Sequence, residues 1–232
     1  MRPENRSQVK ELPLFREMPD EAFDRLLAGC FFQRFPAHVV LIREGDLADF
    51  LHIVVDGGVE LFSSWRDHET TISIARPIST FILAAVVKDA PYLMSARTLD
   101  QSSILMIPSE NIRAAMASDS AFGVAMVEEL AACFREIVKA QKNLKLRSGV
   151  ERLANYLLHL DAEQGNSGSI SLPFEKRLLA SLLGMTPENL SRAFATLKPY
   201  GVVVSNSEII LEDLNALRSL AKPTPLIDDP LC

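Results

Sequence analysis

The chain has 232 residues, 48% hydrophobic and 23% charged, with a formal net charge of -6, a composition that fits a folded protein of two ordinary domains and excludes a disordered or fibrous one. No apolar run approaches the ~20 residues that span a bilayer, and the start MRPENRSQVKE is too polar for a signal peptide, so a cytoplasmic protein without a membrane partner is expected. Cys30, Cys133 and Cys232 are too scattered for a disulfide framework or a paired-cysteine metal site.

Residues 20 to 28 read as a short helix, with Asp20 as N-cap and Phe23, Leu26 and Leu27 turned inward. From Phe31 to Ile107, β-rich runs (FFQRF, VVLI, FLHIVV, VELFSSW, TTISIA, STFILAAVV, SARTL, SILMI) alternate with turn signals at Gly45-Asp46 and Gly57-Gly58. That spacing predicts an antiparallel barrel or sandwich.

Helical patterning begins at Ser109, a candidate cap, and a long helix is expected from about Ser120 to Leu146. Val127, Leu130, Phe134, Ile137, Gln141 and Leu144 recur at alternating spacings of three and four, a heptad stripe suited to a parallel two-stranded coil and hence a homodimer. The other reading of that stripe is a helix packed on its own barrel. Gln141 on the seam is placed to set register. A hinge is expected at Arg147-Ser148-Gly149, a helix at VERLANYLLHL, a flexible turn at GNSGS and a poorly ordered tail at PTPLIDDPLC.

Residues 175 to 200 carry the strongest signal. Leu178, Leu179, Leu182 and Leu183 recur at helical spacing, Gly184 permits a tight turn, and Thr186-Pro187 reads as an N-cap followed by proline at the first helical position. The helix that follows would bury Leu190, Phe194 and Leu197 and turn Glu188, Asn189, Ser191, Arg192 and Ala195 outward. Arg donates in pairs to guanine, Glu accepts from cytosine, Asn pairs with adenine and Ser adapts to either. The same periodicity also describes a plain helical hairpin with a solvated face. Gly201 and the run VVVSNSEIIL then predict a β-hairpin wing turning at Ser205-Asn206-Ser207. Lys139, Lys142, Lys145, Arg147 and Arg152 cluster ahead of this segment, and Lys176, Arg177, Arg192 and Lys198 lie within it. That distribution offsets the acidic total for a DNA-binding chain.

Helix, turn, helix and wing in succession resemble the CRP/FNR family of bacterial transcription regulators, and LIREGDLADFLHIVVDGGVELF resembles the start of that family's sensor barrel. The likeness runs from about Leu14 to Leu220. It implies an α+β fold: an N-terminal antiparallel β-barrel of the cyclic-nucleotide-binding kind over 14–108, a dimerisation helix region over 109–147, a winged helix-turn-helix over 148–222, and a tail over 223–232.

The recognition stretch Glu188-Asn189-Leu190-Ser191-Arg192 resembles the FNR-like pattern of Glu, two residues, then Ser-Arg. The resemblance implies that Glu188 and Arg192 read a C·G pair, that Ser191 touches a neighbouring base, and that the operator resembles TTGAT-N4-ATCAA. It places Thr186 and Lys176, with Arg177 beside it, on the phosphate backbone, and it makes double-stranded DNA and RNA polymerase the expected partners. Pro187 departs from the commoner residue and removes one possible phosphate contact.

The sensor region departs further. Where cyclic-nucleotide-binding members carry Gly-Glu and Arg-Ser, this chain has Phe81-Ile82-Leu83-Ala84-Ala85 and Leu93-Met94-Ser95-Ala96. The cyclic phosphate would lack its charge-assisted partner, although Arg97 lies three residues beyond Met94. Cyclic AMP is therefore not the expected effector, and an iron-sulfur cluster lacks its four thiolates. What is left is a pocket lined by Phe81, Leu83, Val87, Tyr92 and Met94, with Tyr92 as its polar tip, suited to an apolar or aromatic effector, to haem through His38, His52 or His68, or to nothing. No nucleophile elbow, P-loop, dinucleotide fingerprint or metal-ligand cluster marks an enzyme. An adaptor that uses the wing for protein contacts alone is the competing reading.

Overall fold

The computed structural model describes residues 3–66, 68–205 and 208–229. The chain folds as two compact units, Met1–Cys133 and Phe134–Cys232. The boundary between them falls inside one long helix.

The first unit opens with helices α1 (Pro3–Lys10), α2 (Pro13–Arg16) and α3 (Asp20–Leu26). Pro19, not Asp20, is the N-cap of α3, and Asp20 sits in its first turn, where a carboxylate favours the helix dipole. Strands β1 (Phe31–Phe35), β2 (Val40–Ile42), β3 (Phe50–Asp56), β4 (Val59–Trp65), β5 (His68–Ala75) and β6 (Ser79–Phe81) follow. Then come α4 (Leu83–Lys88), β7 (Ser95–Thr98), β8 (Ser102–Pro108), α5 (Ser109–Ser118) and α6 (Ser120–Leu146), which runs on into the second unit.

The strands form two four-stranded antiparallel sheets, ordered β1-β8-β3-β6 and β2-β7-β4-β5. Of the barrel or sandwich that the strand spacing predicts, the two open sheets around one core match the sandwich, and they do not close into a barrel. The chain passes repeatedly between the sheets, and each sheet ends at unjoined edge strands, β1 and β6 in one and β2 and β5 in the other, so the ladders do not join into a ring. Central β3 is buried along most of its length because it also touches α1, α4 and α5. That double cover explains why FLHIVV is a continuous apolar run instead of an alternating one.

Two local expectations fail. STFILAAVV is not one strand: Ile82 takes a left-handed conformation (φ +62°) that stops β6, and α4 follows. Ser109 does not cap α5, since Pro108 is its N-cap and the Ser109 hydroxyl donates to the Ala48 carbonyl.

Beyond α6 the second unit holds α7 (Gly149–Glu163), β9 (Ser169–Ser171), α8 (Lys176–Leu182), α9 (Pro187–Leu197), a 3-10 turn at Lys198–Tyr200, β10 (Val202–Ser205), β11 (Glu208–Leu211), α10 (Leu214–Ala221) and α11 (Pro225–Asp228). Ser148 starts α7 with a reciprocal capping box: its Oγ accepts from Glu151 N, and the Glu151 carboxylate accepts from Ser148 N at 2.8 Å. Leu153, Leu157, Leu179, Leu197, Ile170 and Leu217 are fully buried in one cluster. Each such side chain contributes ~1.5–3 kcal/mol on burial, and together they join four helices, α7 to α10, to a three-stranded sheet. Strand β9, the third strand of that sheet, is missed by the sequence reading, because Ser-Ile-Ser offers a single apolar residue.

Candidate functional site

Helix α8 buries Leu179 and Ala180, ends at Leu182 with Leu183 as its C-cap, and turns at Gly184, whose φ of +62° suits glycine. The Thr186 hydroxyl then accepts from Asn189 N at 3.3 Å and Pro187 occupies the first helical position, so α9 starts where the sequence places it. Leu190, Phe194 and Leu197 are buried as expected, joined by Ala193, which the sequence reading omitted although it lies one turn from Leu190. Glu188, Asn189, Ser191, Arg192 and Ala195 form the exposed face.

Polar groups on that face are partly organised in the absence of DNA. Arg192 Nη1 donates to Asn189 Oδ1 at 3.4 Å, and the Ser191 hydroxyl donates back to the Pro187 carbonyl at 3.0 Å. The Glu188 carboxyl is held below its ordinary pKa, first by its own backbone N–H, then by the Thr186 hydroxyl and the charge of Arg192. An ionised Glu188 is an acceptor only, the state a cytosine amino group requires.

Lys176 and Arg177 are exposed in the first turn of α8, and Lys176 Nζ lies 5.8 Å from the ring centroid of Phe194 on α9. The cations expected on phosphate therefore lie beside α9. Gly201 (φ +79°) turns the chain into the wing, where a Cβ would meet Asp213 N at 2.5 Å. In the wing, Val203 pairs with Ile210 and Ser205 with Glu208. Asn206 and Ser207, expected at its tip, lie outside the described residues, as does Cys232.

The basic cluster ahead of the motif does not act as one surface. Lys139 is buried and donates to Glu136 and to the Asp229 carbonyl, each at 2.9 Å. Lys142 reaches the Leu226 carbonyl, and Arg147 pairs with Asp228. Arg152 donates to the Leu183 carbonyl at 2.8 Å and the Arg147 carbonyl at 2.7 Å. Of the five, Lys145 stays exposed. The tail expected to be poorly ordered supplies three of these partners, because two carbonyls there answer lysines on α6 and a carboxylate answers Arg147 just past its end.

Along α6, five of the expected seam residues share an outward stripe, whereas Leu130 packs on the core of the first unit. Val127, Phe134 and Ile137 are each at least 60% exposed, Leu144 and Gln141 are exposed, and Leu130 is half-buried.

In the sensor unit, Phe81, Leu83 and Tyr92 are buried and Val87 and Met94 half-buried, all against the same core. The Tyr92 hydroxyl, expected as the polar tip of a pocket, donates to the Phe50 carbonyl at 3.0 Å. Beside it lies His52, weighed from sequence both as a packed histidine and as a haem ligand. Its ring sits 5.3 Å from Phe81 and 6.4 Å from Tyr92, and its buried Nδ1 has no hydrogen-bond partner among the described residues. Burial lowers its pKa from 6.5 to about 4. His38 and His68 are exposed. Arg97 is committed elsewhere: it donates to Glu60 and to Glu69 at 2.7 Å each and lies over Phe62. Among the described residues no group of three or more His, Cys, Asp or Glu is placed to hold a metal ion, and no described helix is long and apolar enough to cross a membrane.

A strand-rich unit, a long helix with an apolar outward stripe, and a winged helix-turn-helix define a DNA-binding regulator. Residues 151–220 match the Crp-like helix-turn-helix domain, and residues 32–119 match the cyclic nucleotide-binding domain. The chain belongs to the CRP/FNR family of transcription regulators. It is 24% identical over 200 residues to the nitrogen fixation regulation protein FixK of Azorhizobium caulinodans, covering 80% of this chain and 77% of that one. It is 27% identical over 201 residues to the cyclic AMP receptor protein of Thermus thermophilus, covering 84% and 89%. The structure of FixK2 from Bradyrhizobium japonicum shares the fold, with a TM-score of 0.72, 21% identity, and coverage of 84% of this chain and 98% of that one.

Proposed function

We propose that the protein acts as a homodimer on an inverted repeat resembling TTGAT-N4-ATCAA, with Glu188 and Arg192 reading a C·G pair, Ser191 and Asn189 touching neighbouring bases, and Thr186, Lys176 and Arg177 holding phosphates. The observation that carries this reading is the exposed Glu188-Asn189-Ser191-Arg192 face on a capped helix with cations beside it. The apolar stripe on α6 supports the dimer, because exposed Phe134 and Ile137 gain burial only against a partner. RNA polymerase is the proposed protein partner at the promoter.

For the sensor unit we propose an apolar or aromatic small-molecule effector in place of a cyclic nucleotide. Ala84 and Met94 stand at the ribose and phosphate positions, and Arg97 is paired with Glu60 and Glu69. Of the histidines considered for haem, His52 is the enclosed one, and a Soret band in freshly purified protein would select haem over an organic effector.

Fluorescence anisotropy with the full inverted repeat tests the function. Tight binding that weakens steeply with salt supports it. Failure to bind any duplex, even at low salt, would favour an adaptor acting through protein contacts.

A further inference from the structure

The second half of α6 carries two different flanks. Phe134, Ile137, Gln141 and Leu144 form one. Lys139 and Asn143 form the other, about 200° around the helix, as a two-residue offset at ~100° per residue requires, and Arg147 follows one residue past the helix end at Leu146. Along that second flank lies the segment Thr224–Asp229. Arg147 donates through Nη1 to Asp228 Oδ1 at 2.7 Å and through Nη2 to Oδ2 at 2.6 Å, and its side chain is 7% exposed. Asp228 Oδ2 also accepts from Thr224 N at 2.7 Å, which closes the turn of α11. Lys139 and Lys142 hold the carbonyls of Asp229 and Leu226. From the other side, Arg152 on α7 ties the Arg147 carbonyl to the Leu183 carbonyl, next to the helix-turn-helix turn.

The hydrogen bonds therefore run without a gap from the strap through Arg147 to the base of the recognition motif, and they leave the apolar stripe uncovered. A bidentate, mostly buried arginine-carboxylate pair has a defined geometry in a way that a solvated lysine contact does not. We infer that Arg147 and Asp228 are positioning residues for DNA binding: through them the C-terminal strap fixes the direction in which α6 leaves the winged-helix unit, and so fixes the separation of the two recognition helices in a dimer. This inference rests on the dimeric, inverted-repeat reading above. Neither residue faces a base. Their effect falls on the spacing between half-sites and not on which bases are read.

The test uses the full chain and three duplex types: the inverted repeat with its N4 spacer, the same repeat with one base pair added or removed, and a single half-site. One base pair turns the second half-site by about 35° and moves it ~3.4 Å. The wild-type protein should lose on the order of tenfold in affinity per altered base pair, within the usual range of coupling between sites. Asp228→Ala should shrink that ratio to about threefold or less while leaving single half-site affinity within about twofold. The swap Arg147→Asp with Asp228→Arg should restore the discrimination. Asp228→Asn keeps the shape and removes the charge, and it should lie between the two in a protein whose melting temperature confirms that it is folded. An unchanged spacer ratio in folded Asp228→Ala or Asp228→Asn overturns the inference, as does a single half-site affinity that falls in step with the full operator. If wild type prefers two half-sites no more than one, the dimeric reading itself fails and takes this inference with it.

Discussion

Arg97 on β7 faces Glu60 on β4 as its cross-strand partner and donates to it at 2.7 Å, while the neighbours Ala96 and Thr98 are fully buried in the opposite direction. Glu60 is itself buried and also accepts from the Thr71 hydroxyl at 2.6 Å. Turning Arg97 toward a ligand would leave that carboxylate buried and unpaired, a change that costs several kcal/mol. Cyclic AMP at millimolar concentration should accordingly leave both the melting temperature and operator affinity unchanged. A ligand bound at about 100 times its dissociation constant adds ~2.7 kcal/mol, so a clear upward shift in the melt would contradict this reading of the sensor.

The dimer proposal predicts monomers on charging the stripe. Phe134→Asp or Ile137→Asp would face its own copy across the seam, a burial that costs on the order of 3 kcal/mol or more. Sedimentation should show the monomer, and binding to the full repeat should weaken at the same time because two half-sites need two linked recognition helices. A dimer that survives both substitutions would return the stripe to some other role.

His52 predicts a pH effect. Its folded pKa of about 4 lies below the ordinary 6.5. The unfolded chain therefore binds the proton first, so stability is intact above pH 6.5 and falls as pH drops toward 4. At pH 5 the loss relative to pH 7.5 is about 2 kcal/mol. Chemical denaturation of His52→Phe should show a correspondingly smaller fall between those pH values. An equal fall in both proteins would show that the buried ring does not govern acid sensitivity.

Glu188→Gln should change which base is tolerated opposite it more than it changes overall affinity, since the carboxylate repels phosphates as well as accepting from cytosine. A binding screen over all four bases at that position decides the matter, and a uniform loss across them would remove Glu188 from base reading.

The recognition motif was legible because its signals are local and agree. Thr186 and Pro187 fix the start of α9, Leu190, Phe194 and Leu197 fix its inward face, and the exposed residues are whatever is left. Failures came where partners are distant in sequence. Lys139 and Arg147 read as part of a basic patch because their partners in the tail lie 90 and 81 residues away. The run STFILAAVV read as one strand because a left-handed Ile82 leaves no composition signal, and β-branched Val86 and Val87 sit in α4 through tertiary packing alone. Strand alternation announces sheets but not which edges join, so a closed barrel and two open sheets look the same along the chain.

The central claim is that Arg192 and Glu188 read a C·G pair in each half of an inverted repeat. Its most direct test is anisotropy on TTGAT-N4-ATCAA and on the duplex with that base pair replaced in both halves, for wild type and Arg192→Ala. Wild type should lose about 1–3 kcal/mol per half-site on replacement, while Arg192→Ala should bind both duplexes with nearly equal, weaker affinity. If Arg192→Ala keeps wild-type affinity and the same preference between the two duplexes, the assignment of α9 as the base-reading helix is contradicted.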